Sequence, residues 1–430
     1  MSERERESAQ AIWRAALAAG DVGPLVSRVL RRVGDRVLIG DDPCPPRVRV
    51  FGCGKAGGAM ALATEAVLGG RITEGLVVVK DGYTAPARRI PLVEAGHPVP
   101  DARGEAAALK ILEGVRAAGE DELVLFLVSG GGSALTPAPA PPVTLAEKQE
   151  TTRRLLEAGA TINELNAVRK HLSLVKGGQL ARAAAPATVV SLILSDVVGD
   201  PLDVIASGPT APDRSTFAEA LAVLERKGVA ARVPEPVRQR LTAGARGQID
   251  DTPKPGDRVF ERVRNIVIGN NALVVDAAAA EAHRLGYRAE LVTRGLQGEA
   301  RDVARDLVAR ARALPPRSCL IAGGETTVTV RGRGRGGRCQ EFALAAALEL
   351  RRGEPLTILA AGTDGTDGPT DAAGGIADDG TVARGERVGR SARGDLDDND
   401  AYAFLETAGD LLRSGPTNTN LLDLYLLLHS

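Results

Sequence analysis

The sequence predicts an α/β protein built on parallel sheets. Short apolar runs alternate with Ala- and Leu-rich helical stretches along most of the chain. One run, Glu122–Ser129 (ELVLFLVS), is continuously apolar, as a central parallel strand buried on both faces should be. Most glycine-rich clusters follow a predicted strand, which is where ligands collect in open parallel sheets.

In chain order, the first helix carries Ile12, Trp13, Ala16 and Leu17 on one face. Arg47–Gly54 reads as a strand, Lys55–Leu68 as a helix, and Gly75–Lys80 and Pro91–Ala95 as two further strands. A helix over 101–118 starts at Asp101 as N-cap, ahead of the buried strand Glu122–Ser129. Pro137–Pro142 (PAPAPP) is a rigid loop, and Thr144 with Glu147 forms a capping box for the next helix. Asn163–Ala184 is helical with a break near Gly177-Gly178, and Ala187–Ser195 is a strand ending at Asp196. Helices follow at Thr216–Lys227 and Glu235–Ala243. The polar, Gly- and Pro-rich segment Ala243–Arg258 reads as a linker, dividing the chain into domains 1–245 and 246–430. Beyond it come strands at Asn265–Gly269, Tyr287–Val292, Ser318–Gly323, Thr326–Arg331 and Leu356–Ala361, and helices at Asn271–Leu285, Glu299–Leu314 and Gln340–Arg351.

A chain of 430 residues suits two to three domains. The formal net charge of −1 gives no footprint for nucleic acid or an anionic membrane surface. No run approaches the roughly 18–20 apolar residues of a membrane span, and the charged N-terminus has no signal-like core. The four cysteines, Cys44, Cys53, Cys319 and Cys339, form no CxxC pair and suit reduced thiols, so the expected compartment is cytoplasmic.

Five clusters could carry chemistry. Gly52–Gly58 (GCGKAGG) contains G-x-G-x-x-G between strand and helix, with Lys55 where the turn meets the helix. It reads as a phosphate or carboxylate site, as a dinucleotide turn with Asp81 for a ribose, or as a tight turn with a solvated lysine. Ser129–Ser133 (SGGGS) offers bare amides at Gly130, Gly131 and Gly132 flanked by two hydroxyls, and it lacks the Lys-Ser/Thr pair of a Walker A loop. In SDVVGD and SGPT, Asp196 could bind Mg²⁺, contact a substrate hydroxyl, or cap the following loop. Gly323, Gly324 and Glu325 end a strand, and Gly334–Glu341 (GRGGRCQE) leads into a helix with Arg338 placed to clamp a phosphoryl or carboxylate group. Glu325 and Glu341 are candidate metal or ribose contacts. Gly362–Gly368 (GTDGTDG) sets Asp364 and Asp367 three apart, suited to Mg²⁺–phosphate or hydroxyl contacts. The run Asp395–Asp400 reads as a solvated helix start. Cations, acids and amide cradles together are what phosphoryl transfer uses, and spacing alone leads to a nucleotide- or phosphate-handling enzyme.

These motifs occur in a fixed order with NAVRKHLSLVKGGQLA, AGTDGTDGPTDAAG and GPTNTN, and the set resembles the glycerate 2-kinase family with its C-terminal MOFRL domain, here at about 317–425. The resemblance implies two Rossmann-like α/β domains around a deep cleft. It implies transfer of the γ-phosphoryl group of ATP to the 2-hydroxyl of D-glycerate, with Mg²⁺ or another divalent cation. A hydroxypyruvate reductase is the alternative, since members of the family have carried that label. On this reading Lys55, Arg338 and Asp196 are catalytic. Ser129, Gly130, Gly131, Gly132, Ser133, Gly323, Gly324 and Glu325 bind nucleotide or phosphate. Gly54, Lys55, Arg338 and Asp364 bind substrate, and Asp196, Asp364 and Asp367 hold metal. No nucleic-acid or membrane partner is expected, and a homodimer stays open. Two positions depart from the pattern: Cys339 replaces the usual Asn, and Asn418 the usual Gly.

Overall fold

A computed structural model describes residues 3–430 and divides them into two compact units. The first comprises Val22–Ser195 and Asp200–Ile268; the second comprises the chain up to Asp21, the short stretch Asp196–Gly199, and Gly269–Ser430.

The first unit is organised by a six-stranded sheet. Its strands are β1 (Val48–Cys53), β2 (Ile72–Lys80), β3 (Leu92–Ala95), β4 (Leu123–Val128), β5 (Thr188–Leu194) and β6 (Val263–Gly269), in the order β3-β2-β1-β4-β5-β6. The pairs β3/β2, β2/β1, β1/β4 and β4/β5 are parallel. Every residue of β4 is buried, as its unbroken apolar run predicts. The helix Ala102–Arg116 begins where Asp101 accepts a hydrogen bond from the Gly104 amide, and Thr144 and Glu147 form the expected capping box. A second apolar cluster, including Leu165, Val168, Phe217, Leu224 and Leu241, binds the helices of residues 145–245 together.

The segment read as a linker is packed into this unit. His171 Nε2 meets Asp251 Oδ1 at 2.8 Å, and buried Thr252 donates to Asp213 at 2.9 Å. Polar composition here serves a buried hydrogen-bond network instead of solvent, and the units part at Ile268/Gly269. The expected first domain also loses its N-terminal helix. Glu3–Ala19 buries Ala9, Ile12, Trp13 and Ala16 and packs on the helix Asn271–Arg284 of the second unit.

The second unit carries β7 (Arg288–Leu296), β8 (Ser318–Gly324), β9 (Leu356–Gly362), β10 (Gly374–Ala377), β11 (Leu411–Leu412) and β12 (Asp423–His429), in the order β7-β8-β12-β9-β10-β11. Only β7/β8 is parallel; β12 lies antiparallel between β8 and β9. The α/β class with two sheet-centred units therefore holds, with a parallel first sheet and a mixed second one. The expected strand Thr326–Arg331 is a loop. The amides at its end and just beyond, of Arg331 and Gly332, bond to Asn399 Oδ1 (2.7 and 3.0 Å), and that of Arg333 to Asp398 (3.0 Å). The acidic run there, expected to be solvated, in fact holds this loop.

Candidate active site

In the first unit the strand order reverses direction between β1 and β4. That is the topological switch point, where a parallel sheet opens a crevice at its carboxyl end. Both of the first two glycine clusters emerge there. The Lys55 amide donates to the Gly130 carbonyl (2.8 Å), and the Ala56 amide to Ser129 Oγ (3.0 Å), so the loops are locked to each other. Gly54 has φ +131°, and a Cβ there would collide with Ser129. Gly131 has φ +83°; a Cβ would lie 3.0 Å from the His97 ring and 3.7 Å from Lys55 Cγ, so lysine, imidazole and glycine backbone adjoin. The Gly132 amide closes the turn on Ser129, whereas those of Gly130 and Gly131 form no hydrogen bond among the described residues. Two bare amides beside Lys55 are chemically fit for an anionic oxygen.

Behind the loop, Ser133 Oγ lies 2.8 Å from Ser207 Oγ, which donates to Asn166 Oδ1 at 3.1 Å. Lys176 Nζ donates to the Ser133 carbonyl at 2.7 Å. Ala206 and Ser207 hold φ of 50° and 61°, a left-handed turn without glycine. Asn166, Lys176 and His97 were not singled out from the sequence; the lysine two residues before the helix break at Gly178 was the available signal.

In the second unit, Arg338 opens the helix Arg338–Glu349. Its Nε and Nη2 donate to Asp423 at 2.5 and 2.9 Å, and Nη1 faces Glu325 at 3.0 Å. Tyr425 Oη also donates to Asp423, at 3.0 Å, and meets Thr326 Oγ1 at 3.0 Å. Burial works against the Arg338 cation, but the Asp423 carboxylate outweighs it and holds the guanidinium protonated. Asp423 was missed because the C-terminal strand was not recognised; a single acid heading the run DLYLLLH is the mark of a buried carboxylate with a partner.

Several expected roles change. Gly323 and Gly324 are buried within β8, where a Cβ would strike Asn271 and Leu296, so these glycines serve close packing and offer no open phosphate cradle. Asp367 accepts the amides of Cys339 (3.2 Å) and Gln340 (2.8 Å), capping the helix that carries Arg338. Burial, reinforced by Asp423, pushes its carboxyl up to about 7 despite those amides. It is spent on the helix and is not poised as a metal ligand. Asp364 accepts from the Thr366 amide (3.0 Å), and Asp196 from Asn420 Nδ2 (3.2 Å). Asp196, Asp364 and Asp367 form no metal cage: no group of three or more His, Cys, Asp or Glu suited to a metal occurs among the described residues. Mg²⁺ needs only one or two carboxylates when phosphates complete its shell, so Asp196 and Asp364 still fit one brought in with a nucleotide. Glu341 is bound to Arg301 (2.6 Å) and Asn399 (2.9 Å), a structural role. Cys339 is fully buried, and Asn418 sits at φ 57°, the left-handed region where the usual Gly would be at ease.

Two sheet-centred units, each with a cation held at strand-end loops and one with free glycine amides, define an α/β enzyme that handles anionic substrates. Residues 8–242 match the profile described as a domain of unknown function (DUF4147), and residues 318–423 match the MOFRL family. The D-glycerate 2-kinase of Thermotoga maritima is 44% identical over 88% of this chain and 90% of its own length. A protein of Agrobacterium vitis provisionally named hydroxypyruvate reductase is 40% identical over 93% of this chain and 94% of its own. The crystal structure of glycerate kinase from Thermotoga maritima superimposes with a TM-score of 0.88, at 41% identity and full coverage of both chains. The chain belongs to the glycerate 2-kinase family with a MOFRL domain.

Proposed function

We propose that the protein transfers the γ-phosphoryl group of ATP to the 2-hydroxyl of D-glycerate, giving 2-phosphoglycerate and ADP. The observation that carries this reading is the pair of glycine loops locked together at the switch point, with Lys55 at their junction and two amides free. Lys55 and the Gly130 and Gly131 amides bind phosphate oxygens and neutralise charge that grows as the group moves. Arg338, held in one orientation by Asp423, presents a permanent cation to a carboxylate or phosphate. Asp196 or Asp364 orients the acceptor hydroxyl. A divalent cation such as Mg²⁺, when bound, supplies further charge neutralisation between these carboxylates and the nucleotide. Four buried free thiols favour a reducing, cytoplasmic setting. Among the described residues no helix is long and apolar enough to cross a membrane.

The reductase reading, which one relative's name keeps in view, would need the acid after β2 for a ribose. Both oxygens of that acid, Asp81, are engaged by Arg103 at 2.7 and 2.9 Å. Two assays on the purified protein separate the readings. ADP release that depends on D-glycerate, without NADH oxidation by hydroxypyruvate, is the expected result; the reverse pattern would overturn the proposal.

A further inference from the structure

Lys176 lies directly behind the Ser129–Ser133 loop, two further basic residues lie close enough to act on it or be acted on by it, and the anions to match them are scarce. Lys176 is 2% exposed and bonds the Ser133 carbonyl. Lys148, on the helix Leu145–Glu157, is 7% exposed, and its Nζ has no hydrogen-bond partner. Arg169, on the helix Ile162–His171, is half-buried and forms neither a hydrogen bond nor an ion pair among the described residues. The three repel one another: Arg169 and Lys176 act on Lys148, and Arg169 acts on Lys176. Against them stand the Glu105 carboxylate, felt by Lys148, and the Cys53 thiol, felt by Lys176. Withdrawing like charges from water without counter-ions is strongly unfavourable, and burial accordingly drives both lysines toward the neutral amine. A buried amine without a partner, as at Lys148, takes up its proton when an anion comes to lie beside it.

Other groups converge on the same place. The hydroxyls of Ser133 and Ser207 and the amide group of Asn166 form one chain there, 2.8 and 3.1 Å apart. The turn that supplies Ser207 is strained at both Ala206 and Ser207, a feature that persists where geometry serves a ligand. Arg169 alone of the three cations reaches solvent, and its planar fork is unpaired.

We propose that Arg169 is the contact residue of an anion subsite behind the SGGGS loop, and that Lys148 and Lys176 supply its field from below. The ligand is an oxyanion group: the carboxylate of the hydroxy acid or a phosphate of the nucleotide. Only the identity of that anion rests on the kinase reading.

Calorimetric titration of wild type, Arg169→Gln and Lys148→Met, separately with D-glycerate, ADP and inorganic phosphate, tests this. Arg169→Gln should weaken one class of anion at least tenfold while keeping its cooperative melt. Lys148→Met should melt at the same or a higher temperature, since an unpartnered buried amine is gone, yet bind the same anion several-fold more weakly. Loss confined to D-glycerate identifies the carboxylate; loss confined to ADP and phosphate identifies the phosphate. If Arg169→Gln does not fold, Lys148→Met decides alone. Wild-type-like binding of all three probes by the variants, or no binding by the wild type, overturns the subsite. Binding that the variants lose, in a protein that forms no ADP with D-glycerate, would leave the subsite standing and remove the kinase reading.

Discussion

Arg338 illustrates how the cation of the proposed reaction is held. The sequence placed it at a helix start among glycines, where an arginine is as often simply solvated, and the helix does begin at Arg338. Its partner Asp423 lies 85 residues away and only folding joins them. Asp423 is 1% exposed, so truncating it leaves the half-buried Arg338 cation without its bidentate partner, with the more exposed Glu325 on the other side. Asp423→Ala should lower stability by about 3–5 kcal/mol in urea unfolding, and the Asp423→Asn variant, which keeps the shape, should lose turnover more than stability. A turnover equal to wild type in Asp423→Asn would show that Arg338 needs no fixed orientation. Lys176 gives a second test. Burial holds its ammonium down to about 7, with Cys53 partly offsetting and Arg169 adding. An unfolded lysine titrates near about 10.4. Between about pH 7 and about pH 10 the unfolded chain therefore holds the extra proton, and this contribution to stability rises with pH. Thermal melts should show a smaller alkaline gain for Lys176→Met than for wild type; identical slopes would contradict the assignment.

At the scale of elements, the strand-to-loop junctions were the legible part. The apolar run of β4 and the two glycine clusters after β1 and β4 are adjacent to their own signals in the sequence. That the clusters meet depends on strand order, and no local pattern encodes it. The β12 strand was overlooked because a continuous apolar run at a chain end has no turn residues beyond it to bound it. The false strand at Thr326–Arg331 has the opposite cause: β-branched residues satisfied the pattern, but the amides of Thr326 and Thr329 bond to the side chains of Tyr425 and Glu299, and Thr327 makes only an isolated bridge to Glu299. The junction itself is open to test at Gly54. An alanine there meets both a positive φ and Ser129, so Gly54→Ala should cost about 1–3 kcal/mol of stability and most of the activity. A variant that melts and turns over like wild type would mean that the loops are not locked as described.

At the scale of the whole molecule, the alternation of apolar strands with helices identified the α/β class, while the domain division needed three-dimensional contacts. The N-terminal helix joins the C-terminal unit, and the polar stretch near Asp251 is interior to the first. Neither is visible to a reading that equates polarity with linkers. Each unit carries one cation at strand-end loops, Lys55 in the first and Arg338 in the second. Lys55→Ala should lower turnover by orders of magnitude and leave the melting curve unchanged; retained activity would remove Lys55 from the reaction. The account as a whole is tested most directly by phosphorus NMR of the product that the wild-type protein makes from D-glycerate, ATP and Mg²⁺. Beside the resonances of ADP, it predicts a single phosphomonoester resonance, that of 2-phosphoglycerate, growing in step with them. A 3-phosphoglycerate signal, or ADP accompanied by inorganic phosphate alone, would contradict it.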